Sequence, residues 1–256
     1  MYSIDVLIQG YPGRSLFHGS LGWSTTTLLR GEGRRILVDV GAFGARHLLA
    51  KQLAELKVAA GDITDVVLTH AHYDHSVNFT LFPNATVWIG EKELAWAAAQ
   101  PPGFDPLPEL YVRELEVSPR VKRIQAGDRF LPGFRAVMAP GHTPGHLLFY
   151  VTGNEGAILF TGDAAKNRAE LLAMTVADTY DQAISQESLA LIWDYWKREP
   201  GTLLVPGHDL CMRLDEAGQP RYVGERRAVL TAWLGDTMEP TSIDLCCGGA
   251  MTRYSA

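Results

Sequence analysis

Residues 69–75, Thr-His-Ala-His-Tyr-Asp-His, constrain this chain more than any other stretch, because they place three imidazoles and one carboxylate within six residues. The stretch follows the apolar run Val66-Val67-Leu68, which is short, β-branched and typical of a buried strand. The polar side chains should therefore lie where a strand ends and the backbone turns. The whole chain has 8 histidines, so this local concentration indicates a site. Imidazole and carboxylate are ligands that zinc and neighbouring first-row metals prefer, and the stretch predicts a metal site.

The spacing within the stretch predicts two metal positions. His70 and His72 are two residues apart, so on extended backbone their side chains point the same way and can bind one ion. Asp74 and His75 follow the bend, displaced by one turn, and can bind a second ion. The alternative is a group of surface histidines at the end of a strand.

The stretch resembles the His-x-His-x-Asp-His signature of the metallo-β-lactamase-fold superfamily. Three later stretches are similar to that family's other ligand motifs and occur in the same order: Pro-Gly-His-Thr-Pro-Gly-His with His142, Leu-Phe-Thr-Gly-Asp with Asp163, and Val-Pro-Gly-His-Asp with His208. The resemblance covers nearly the whole chain. It implies an α/β fold, a four-layer αβ/βα sandwich with a metal site at one rim, and two zinc ions as the cofactor, with iron or manganese as the alternative metals.

The resemblance also implies a role for each polar residue near the site. It assigns His70, His72 and His142 to one ion, Asp74, His75 and His208 to the other, and Asp163 to both. By the same likeness Asp39, at a strand end, would accept a hydrogen bond from a ligand histidine and set its tautomer, unless it only initiates a turn. His146 would support the site through hydrogen bonds, and His18 and His47 would not be ligands.

Composition favours one globular domain over residues 1–256, because the chain is 46% hydrophobic and long enough for a substantial core. A net charge of -6 without a Lys/Arg cluster argues against a nucleic-acid partner. Residues 1–7 lack the features of a signal peptide, and no apolar run is long enough to span a bilayer, so we expect a cytoplasmic location and no membrane partner. Cys211, Cys246 and Cys247 do not make a disulfide framework, and we expect structural or incidental roles for them.

Hydrophobic periodicity predicts alternating strands and helices. Strands are expected at residues 3–9, 25–29, 35–40, 64–68, 86–89, 121–124, 134–138, 147–152, 156–161 and 202–205, and helices at residues 45–57, 91–99, 182–197 and 221–234. The prolines of residues 100–120 should prevent regular structure there, and residues 164–180 have no regular pattern. Residues 100–120 would form either an apolar wall of the substrate pocket or a packed connector. Exposed apolar residues in both loops would serve a homodimer as well as a ligand.

The predicted site implies hydrolysis of a small ester-like molecule. Two divalent ions lower the pKa of a bridging water, and the resulting hydroxide can attack a carbonyl carbon that a metal polarises. Asp74 could also orient this nucleophile, and Asp163 would bridge the ions. The reaction classes open to such a site are hydrolysis of an ester, lactone, thioester, amide or phosphoester.

Differences among superfamily members narrow the reaction. Oxygen-reducing di-iron members carry Glu where this chain has His72, which favours zinc hydrolysis over iron chemistry; mono-iron sulfur dioxygenases keep a similar motif and are less favoured. RNA-cutting members carry a large insertion between the later ligands, and residues 163–208 are too short to contain one. Glyoxalase-II-like thioesterases add a helical domain after the last His, whereas little more than one predicted helix follows His208 here. The resemblance therefore points to acyl-homoserine lactonases and related lactonases. A thioesterase or a β-lactam or amide hydrolase is the alternative; a small stand-alone nuclease and a non-catalytic sensor are less favoured.

Position 166 differs from those lactonases. They place a Tyr three residues after the bridging Asp, where this chain has Lys166, and Ser76-Val77-Asn78 stands where they have Gly-Gly. Lys166 is a candidate clamp for a substrate carboxylate or a developing oxyanion, the alternative being a solvated Lys on a mobile loop. Tyr73 is expected to pack inside the motif, with its hydroxyl near enough to reach the pocket.

Overall fold

The computed structural model describes residues 1–15, 19–104 and 106–246. Its internal contacts divide the chain into two units, Met1–Val223 and Gly224–Ala256. The expectation of one domain over residues 1–256 stays a prediction. His18 and Cys247, for which the sequence predicts no metal role, lie outside the described residues.

The first half of the larger unit forms a six-stranded sheet. The strands of this half are β1 (Ser3–Ile8), β2 (Arg14–Ser15), β3 (Gly19–Ser20), β4 (Thr26–Gly31), β5 (Arg34–Val38), β6 (Asp65–Val67), β7 (Thr86–Gly90) and β8 (Val121–Ile124). The sheet order is β1-β4-β5-β6-β7-β8, antiparallel from β1 to β5 and parallel from β5 to β8. Strands β2 and β3 pair as a separate antiparallel ribbon.

The second half of this unit forms another six-stranded sheet. Its strands are β9 (Phe134–Met138), β10 (Leu147–Gly153), β11 (Gly156–Gly162), β12 (Leu203–Pro206), β13 (Met212–Leu214) and β14 (Pro220–Tyr222). The order is β14-β13-β12-β11-β10-β9, and only the β11–β12 pair is parallel. In the smaller unit β15 (Val229–Ala232) pairs antiparallel with β16 (Thr241–Asp244).

Six helices connect or cover these strands in the described part of the chain. They are α1 (Arg46–Glu55), α2 (Tyr73–Ser76), α3 (Glu91–Ala98), α4 (Glu109–Val117), α5 (Arg168–Ala173) and α6 (Gln182–Lys197). Helix α6 begins after Asp181, whose carboxylate accepts a hydrogen bond from the amide of Ile184. None of the helices in the described ranges is both long and apolar enough to cross a membrane.

The period-2 alternation of the strands separates the core into layers. Val67 of β6 packs with Phe149 of β10 in a core between the two sheets. Val66 faces the opposite way, into a core shared with α1, α3 and α4. Leu148 faces away from the intersheet core and packs with Leu189 of α6. The layers are therefore helices, sheet, sheet and helices, which confirms the predicted αβ/βα sandwich.

The two loops expected to lack regular structure each contain a helix. Helix α4 forms within residues 100–120 because the prolines flank it: Pro108 is its N-cap, and Pro119 follows its end. A proline at the start of a helix is tolerated since the first amides have no partner within the helix. Helix α5 forms within residues 164–180, where the Asn167 side chain accepts a hydrogen bond from the Glu170 amide.

The helix predicted over residues 221–234 is wrong. This segment contains the end of β14 and the whole of β15. Gly224 takes a φ of +88°, which interrupts any helix that begins before it. Val229 and Thr231, two residues apart and both β-branched, then favour the extended backbone of β15.

Candidate metal centre

The seven predicted ligands converge at one rim of the two sheets. They lie on α2 and on the loops that follow β6, β9, β11 and β12. Three groups of side chains have ligand atoms within 4.8 Å of one another: His70, His72 and His142; His70, His75 and Asp163; Asp74, His75 and His208. The first and third groups coincide with the ligand sets predicted for the two ions. Their convergence is a property of the structure, and their role as ligands stays a prediction.

The ring nitrogens in these groups face one another. His142 Nε2 lies 3.0 Å from His72 Nδ1, and His75 Nε2 lies 3.3 Å from His208 Nε2. Asp74 Oδ2 lies 3.3 Å from His208 Nε2. The bend at the start of α2 separates Asp74 and His75 from the two earlier histidines, as the spacing of the motif predicts.

Asp163 stands between the two groups. Its Oδ1 lies 3.2 Å from His75 Nε2 and 3.2 Å from His208 Nε2, while its Oδ2 lies 3.3 Å from His142 Nε2. The glycine before His208 makes this approach possible, because a Cβ at Gly207 would lie 2.2 Å from Asp163 Oδ1. Each of the two carboxylate oxygens therefore lies next to a different group of histidines.

The donor chemistry fits divalent cations. Within the described part of the chain, the buried His70 Nε2 has no hydrogen-bond partner. A buried polar atom left in this way costs about 1–3 kcal/mol, and a bound ion would satisfy it. Imidazole nitrogens and carboxylate oxygens at buried positions are the donor set that zinc takes.

Burial keeps one group of histidines neutral. It lowers the pKa of His70 and of His142 well below the usual value for imidazole, and that of His72 to about 4. A neutral ring can offer a nitrogen lone pair to a cation. The group is therefore electrically suited to bind a metal near neutral pH.

The second group has a different charge balance. Burial is the largest single influence on His75 and on His208 and disfavours a charge on either ring, but the neighbouring carboxylates, Asp163 and Asp74 with Asp39 beside His75, together outweigh it and raise both pKa values. Burial alone would favour the neutral acid of Asp163, yet the neighbouring His208 and His75 hold the pKa of that carboxyl well below its usual range. This end of the site concentrates negative charge on buried carboxylates, which favours a cation.

Asp39 supports His75 from behind. Its Oδ2 lies 2.8 Å from His75 Nδ1, and its two oxygens also accept from the amide and the hydroxyl of Thr69, each at 2.9 Å. With a carboxylate on Nδ1, His75 directs Nε2 toward the other candidate ligands. This contact confirms the acceptor role predicted for Asp39.

The remaining described histidines have the positions expected of non-ligands. His146 Nε2 accepts a hydrogen bond from the amide of Asp163 at 3.1 Å, so this ring supports the site rather than pointing at it. Burial lowers the pKa of His146 to about 3, which keeps that nitrogen available as an acceptor. His47 is exposed on α1.

A cavity of about 780 Å³ opens in front of the candidate ligands. An aromatic cluster forms part of its wall: the Trp96 ring centroid lies 5.9 Å from that of Phe104, 6.0 Å from that of Tyr180 and 6.5 Å from that of His72. Tyr73 also lines the cavity. Residues 100–120 therefore contribute to the wall of the cavity through Phe104. Of the two alternatives predicted for this segment, a pocket wall or a packed connector, this position agrees with the first.

Lys166 lines the same cavity beside Asp163. Its side chain is 13% exposed, and its Nζ lies 3.4 Å from Glu170 Oε1. Glu170 is itself held in place, because it accepts hydrogen bonds from the amides of Lys166 and Ala177. The ammonium group is therefore a buried part of the cavity wall rather than a solvated group on a surface loop.

Two contributors to this region carry no signal in the sequence. Glu93 on α3 accepts hydrogen bonds from the Ala71 amide and the Thr143 hydroxyl, 22 and 50 residues away in the chain. Trp96 lies on the same predicted helix, where an aromatic residue would ordinarily mark only the buried face. Neither position belongs to a ligand motif, so only the folded arrangement reveals them.

Comparison with known proteins identifies the family. The family model described as the metallo-beta-lactamase superfamily matches residues 21–208. The chain belongs to the metallo-β-lactamase superfamily. The match extends as far as the last predicted ligand, His208.

Individual superfamily members are similar over most of the chain. Metallo-beta-lactamase domain-containing protein 1 of Xenopus laevis is 25% identical over 227 residues, 85% of this chain and 84% of that protein. An N-acyl homoserine lactonase of Bacillus thuringiensis is 25% identical over 164 residues, 63% of this chain and 62% of the lactonase. The solved structure of AidC, a dizinc quorum-quenching lactonase with bound product, has a TM-score of 0.66 at 19% identity and covers 80% of each chain. This last likeness establishes the shared fold.

Proposed function

We propose that this chain is a metal-dependent hydrolase that holds two zinc ions and opens a small ester-like substrate, with a lactone as the preferred class. The position of Asp163 carries the proposal. Its Oδ2 lies 3.3 Å from His142 Nε2, and its Oδ1 lies 3.2 Å from His75 Nε2. A carboxylate shared in this way suits two neighbouring ions better than one.

When bound, two such ions polarise a carbonyl oxygen and lower the pKa of a water molecule toward neutrality. The side chains at the rim then orient the reactants. Asp74 lines the cavity, and its carboxylate can accept a hydrogen bond from the attacking water while its Oδ2 lies 3.3 Å from His208 Nε2. Asp39 keeps His75 in one tautomer through the 2.8 Å contact to Nδ1.

Lys166 supplies a positive charge on the wall of the cavity. Its Nζ is buried and faces the carboxylate of Glu170 at 3.4 Å. An ammonium group held in a site of low dielectric stabilises negative charge that develops on a substrate oxygen, and it also binds a substrate carboxylate. Glu170 limits how far the ammonium can move.

The aromatic cluster suits a substrate with an apolar part. Trp96, Phe104 and Tyr180 form a wall that an acyl chain could cover, with a gain of about 1.5–3 kcal/mol for a fully buried apolar group. The likeness to an N-acyl homoserine lactonase and to a dizinc lactonase supports a lactone as the first class. The substrate is proposed to be a small molecule, since a net charge of -6 does not favour a nucleic acid.

The test pairs metal analysis with a substrate panel. The purified protein is assayed for zinc, iron and manganese, then for hydrolysis of lactones of graded acyl length, thioesters and a chromogenic β-lactam. We expect about two zinc ions per chain and turnover of a lactone. Asp163→Ala should lose both, while Asp194→Ala, on the exposed face of α6, should lose neither.

Other outcomes separate the alternatives. Turnover of only the thioester or only the β-lactam would move the substrate class but keep the hydrolase. About one iron per chain, or full zinc occupancy without hydrolysis of any compound in the panel, would contradict the proposal.

A further inference from the structure

Glu93 is a buried acid that neither the motif nor the cavity accounts for. It lies in the first turn of α3 and has an exposed fraction of 0%. Its side chain is not among those that line the cavity in front of the candidate ligands. A fully buried carboxylate is costly unless hydrogen bonds satisfy it, so its partners indicate why it is there.

Those partners lie on both segments that carry one predicted ligand set. Glu93 Oε1 accepts from the amide of Ala71 at 3.0 Å, and Ala71 lies between His70 and His72. Glu93 Oε2 accepts from the hydroxyl of Thr143 at 2.6 Å, and Thr143 follows His142. One carboxylate therefore links the segment of the first two histidines to the segment of the third.

The backbone of the later segment also packs on this helix. A Cβ at Gly145 would lie 2.1 Å from Glu93 N and 2.3 Å from its Cα, so only glycine allows the segment to lie this close. The contact between this loop and α3 is thus a close approach of one main chain to the other.

We propose that Glu93 is a positioning residue for the metal site, which sets the separation between residues 70–72 and residues 142–145. Hydrogen bonds to a carboxylate are stronger than those between neutral groups, and the two segments are otherwise distant in sequence. With both segments fixed, His72 and His142 present their nitrogens to one ion without a further cost of ordering. The proposal rests on the metal binding in the proposed function and is independent of which substrate is hydrolysed.

The test measures metal binding rather than turnover. Protein stripped of metal is titrated with zinc against a chromogenic chelator, and with cobalt by its visible absorption. We expect Glu93→Ala to weaken one of the two binding events about 10–100-fold and to alter the cobalt absorption, with the other event unchanged. Glu93→Gln should restore most of the affinity, since its amide group can accept from Ala71 and donate to Thr143.

The matched control is Glu91→Gln on the same helix. Glu91 is exposed, and within the described residues its carboxylate accepts a side-chain hydrogen bond from Gln125. The zinc and cobalt titrations of Glu91→Gln should therefore give the same affinities as those of the wild-type protein. Wild-type affinities and absorption in Glu93→Ala would overturn the proposal. So would an equal loss in Glu93→Gln and Glu93→Ala, because that result would assign the effect to charge alone.

A second variant keeps the test decisive if Glu93→Ala does not fold. Thr143→Val preserves the side-chain shape and removes one donor, so it should weaken the same zinc-binding event by about 3–10-fold. Unchanged zinc affinity in Thr143→Val would contradict the proposal. A protein that binds zinc as predicted but hydrolyses nothing would contradict the proposed function and leave the role of Glu93 intact.

Discussion

Asp39 holds His75 in a single orientation: its Oδ2 lies 2.8 Å from His75 Nδ1, and its own backbone takes a φ of +51°. The left-handed backbone turns the carboxylate that follows β5 toward the candidate ligand His75. Asn adopts this conformation more readily than most residues, so it can replace Asp39 without added backbone strain. The pair therefore offers a clean test of whether a carboxylate behind a candidate ligand affects metal binding.

Asp39→Asn should weaken one of the two zinc-binding events about 10–100-fold and leave the fold unchanged. The reason is that a neutral amide is a poorer acceptor for His75 Nδ1–H than a carboxylate. Chelator competition measures the affinity, and circular dichroism of the chelated protein checks the fold. Asp194→Asn is the control at an exposed position; two unchanged zinc affinities in Asp39→Asn would show that the contact does not support binding.

Lys166→Ala should lower kcat/KM by about 10²–10³-fold while zinc content stays the same, because the substitution removes the buried positive charge of the cavity wall. Lys166→Arg should recover part of this loss. Steady-state kinetics on the best substrate, with metal analysis of the same preparations, makes the measurement. Lys51→Ala, on the exposed face of α1, is the control. Unaltered kinetics in Lys166→Ala would remove this residue from the reaction.

Trp96→Ala should raise KM in proportion to the length of an apolar acyl group, by about tenfold for a long chain and little for a short one. The aromatic wall would lose its centre, since the Trp96 ring contacts both Phe104 and Tyr180. A series of lactones with graded acyl length provides the test. Trp233→Ala removes an exposed Trp that does not line the cavity. An equal loss for every chain length would argue against a role in acyl recognition.

Gly145→Ala should destabilise the protein by about 1–3 kcal/mol or more, because the new Cβ would meet the α3 backbone. The nearest atoms, Glu93 N and Cα, would lie at 2.1 and 2.3 Å and belong to the main chain, which cannot rotate away. A fall in Tm of the chelated protein measures the effect. Gly44→Ala is the matched control, since a Cβ there meets nothing within 4 Å. Equal Tm values for the two variants would contradict the close packing.

The stability of the chelated protein should fall with rising pH because of Glu93. Burial raises the pKa of Glu93 from 4.5 to about 7, so the folded state binds more protons than the unfolded state between these values. The contribution is fully present below about pH 4.5 and is lost as pH rises through about 7, with a total of about 3 kcal/mol.

Urea unfolding at pH 5 and pH 8 tests this linkage when the protein is compared with Glu93→Gln, which cannot titrate at this position. The unfolding free energy of the wild-type protein minus that of Glu93→Gln should be smaller at pH 8 than at pH 5. The histidines titrate in both proteins and cancel in the difference. A difference that stays constant from pH 5 to pH 8 would show that the Glu93 carboxyl does not titrate in this window.

Much of the fold and of the candidate site follows from local patterns. The run Val66-Val67-Leu68 before His70 indicates a buried strand, and α6 has the bounds that its periodicity predicts. Metal binding needs particular residue types at particular spacings. The motif that contains His72 and the separate motif that contains His142 are therefore visible without coordinates. The strands and helices that deliver these residues are likewise set by short-range alternation of apolar and polar side chains.

Other features are not visible in the periodicity of apolar residues, some for local reasons and some because they depend on how a loop folds. The helix α4 among the prolines, and the strand β15 in place of a helix, follow from the local balance of capping and backbone conformation that periodicity does not report. The burial of Lys166 beside Glu170 depends on how the loop after β11 folds over the rim. An isolated lysine in a sequence carries no sign of whether its ammonium faces water or a cavity.

The sequence by itself determined the types and the order of the candidate ligands and the strands that precede them, because each depends on residues close together in the chain. Only the tertiary structure decided that Asp163 turns its two oxygens to different histidines, and that Glu93 joins residues 70–72 to residues 142–145. The physical reason is that a hydrogen bond from a generic carboxylate has no local signature. Its partner is chosen by the packing of the whole sheet-and-helix framework rather than by its neighbours in sequence.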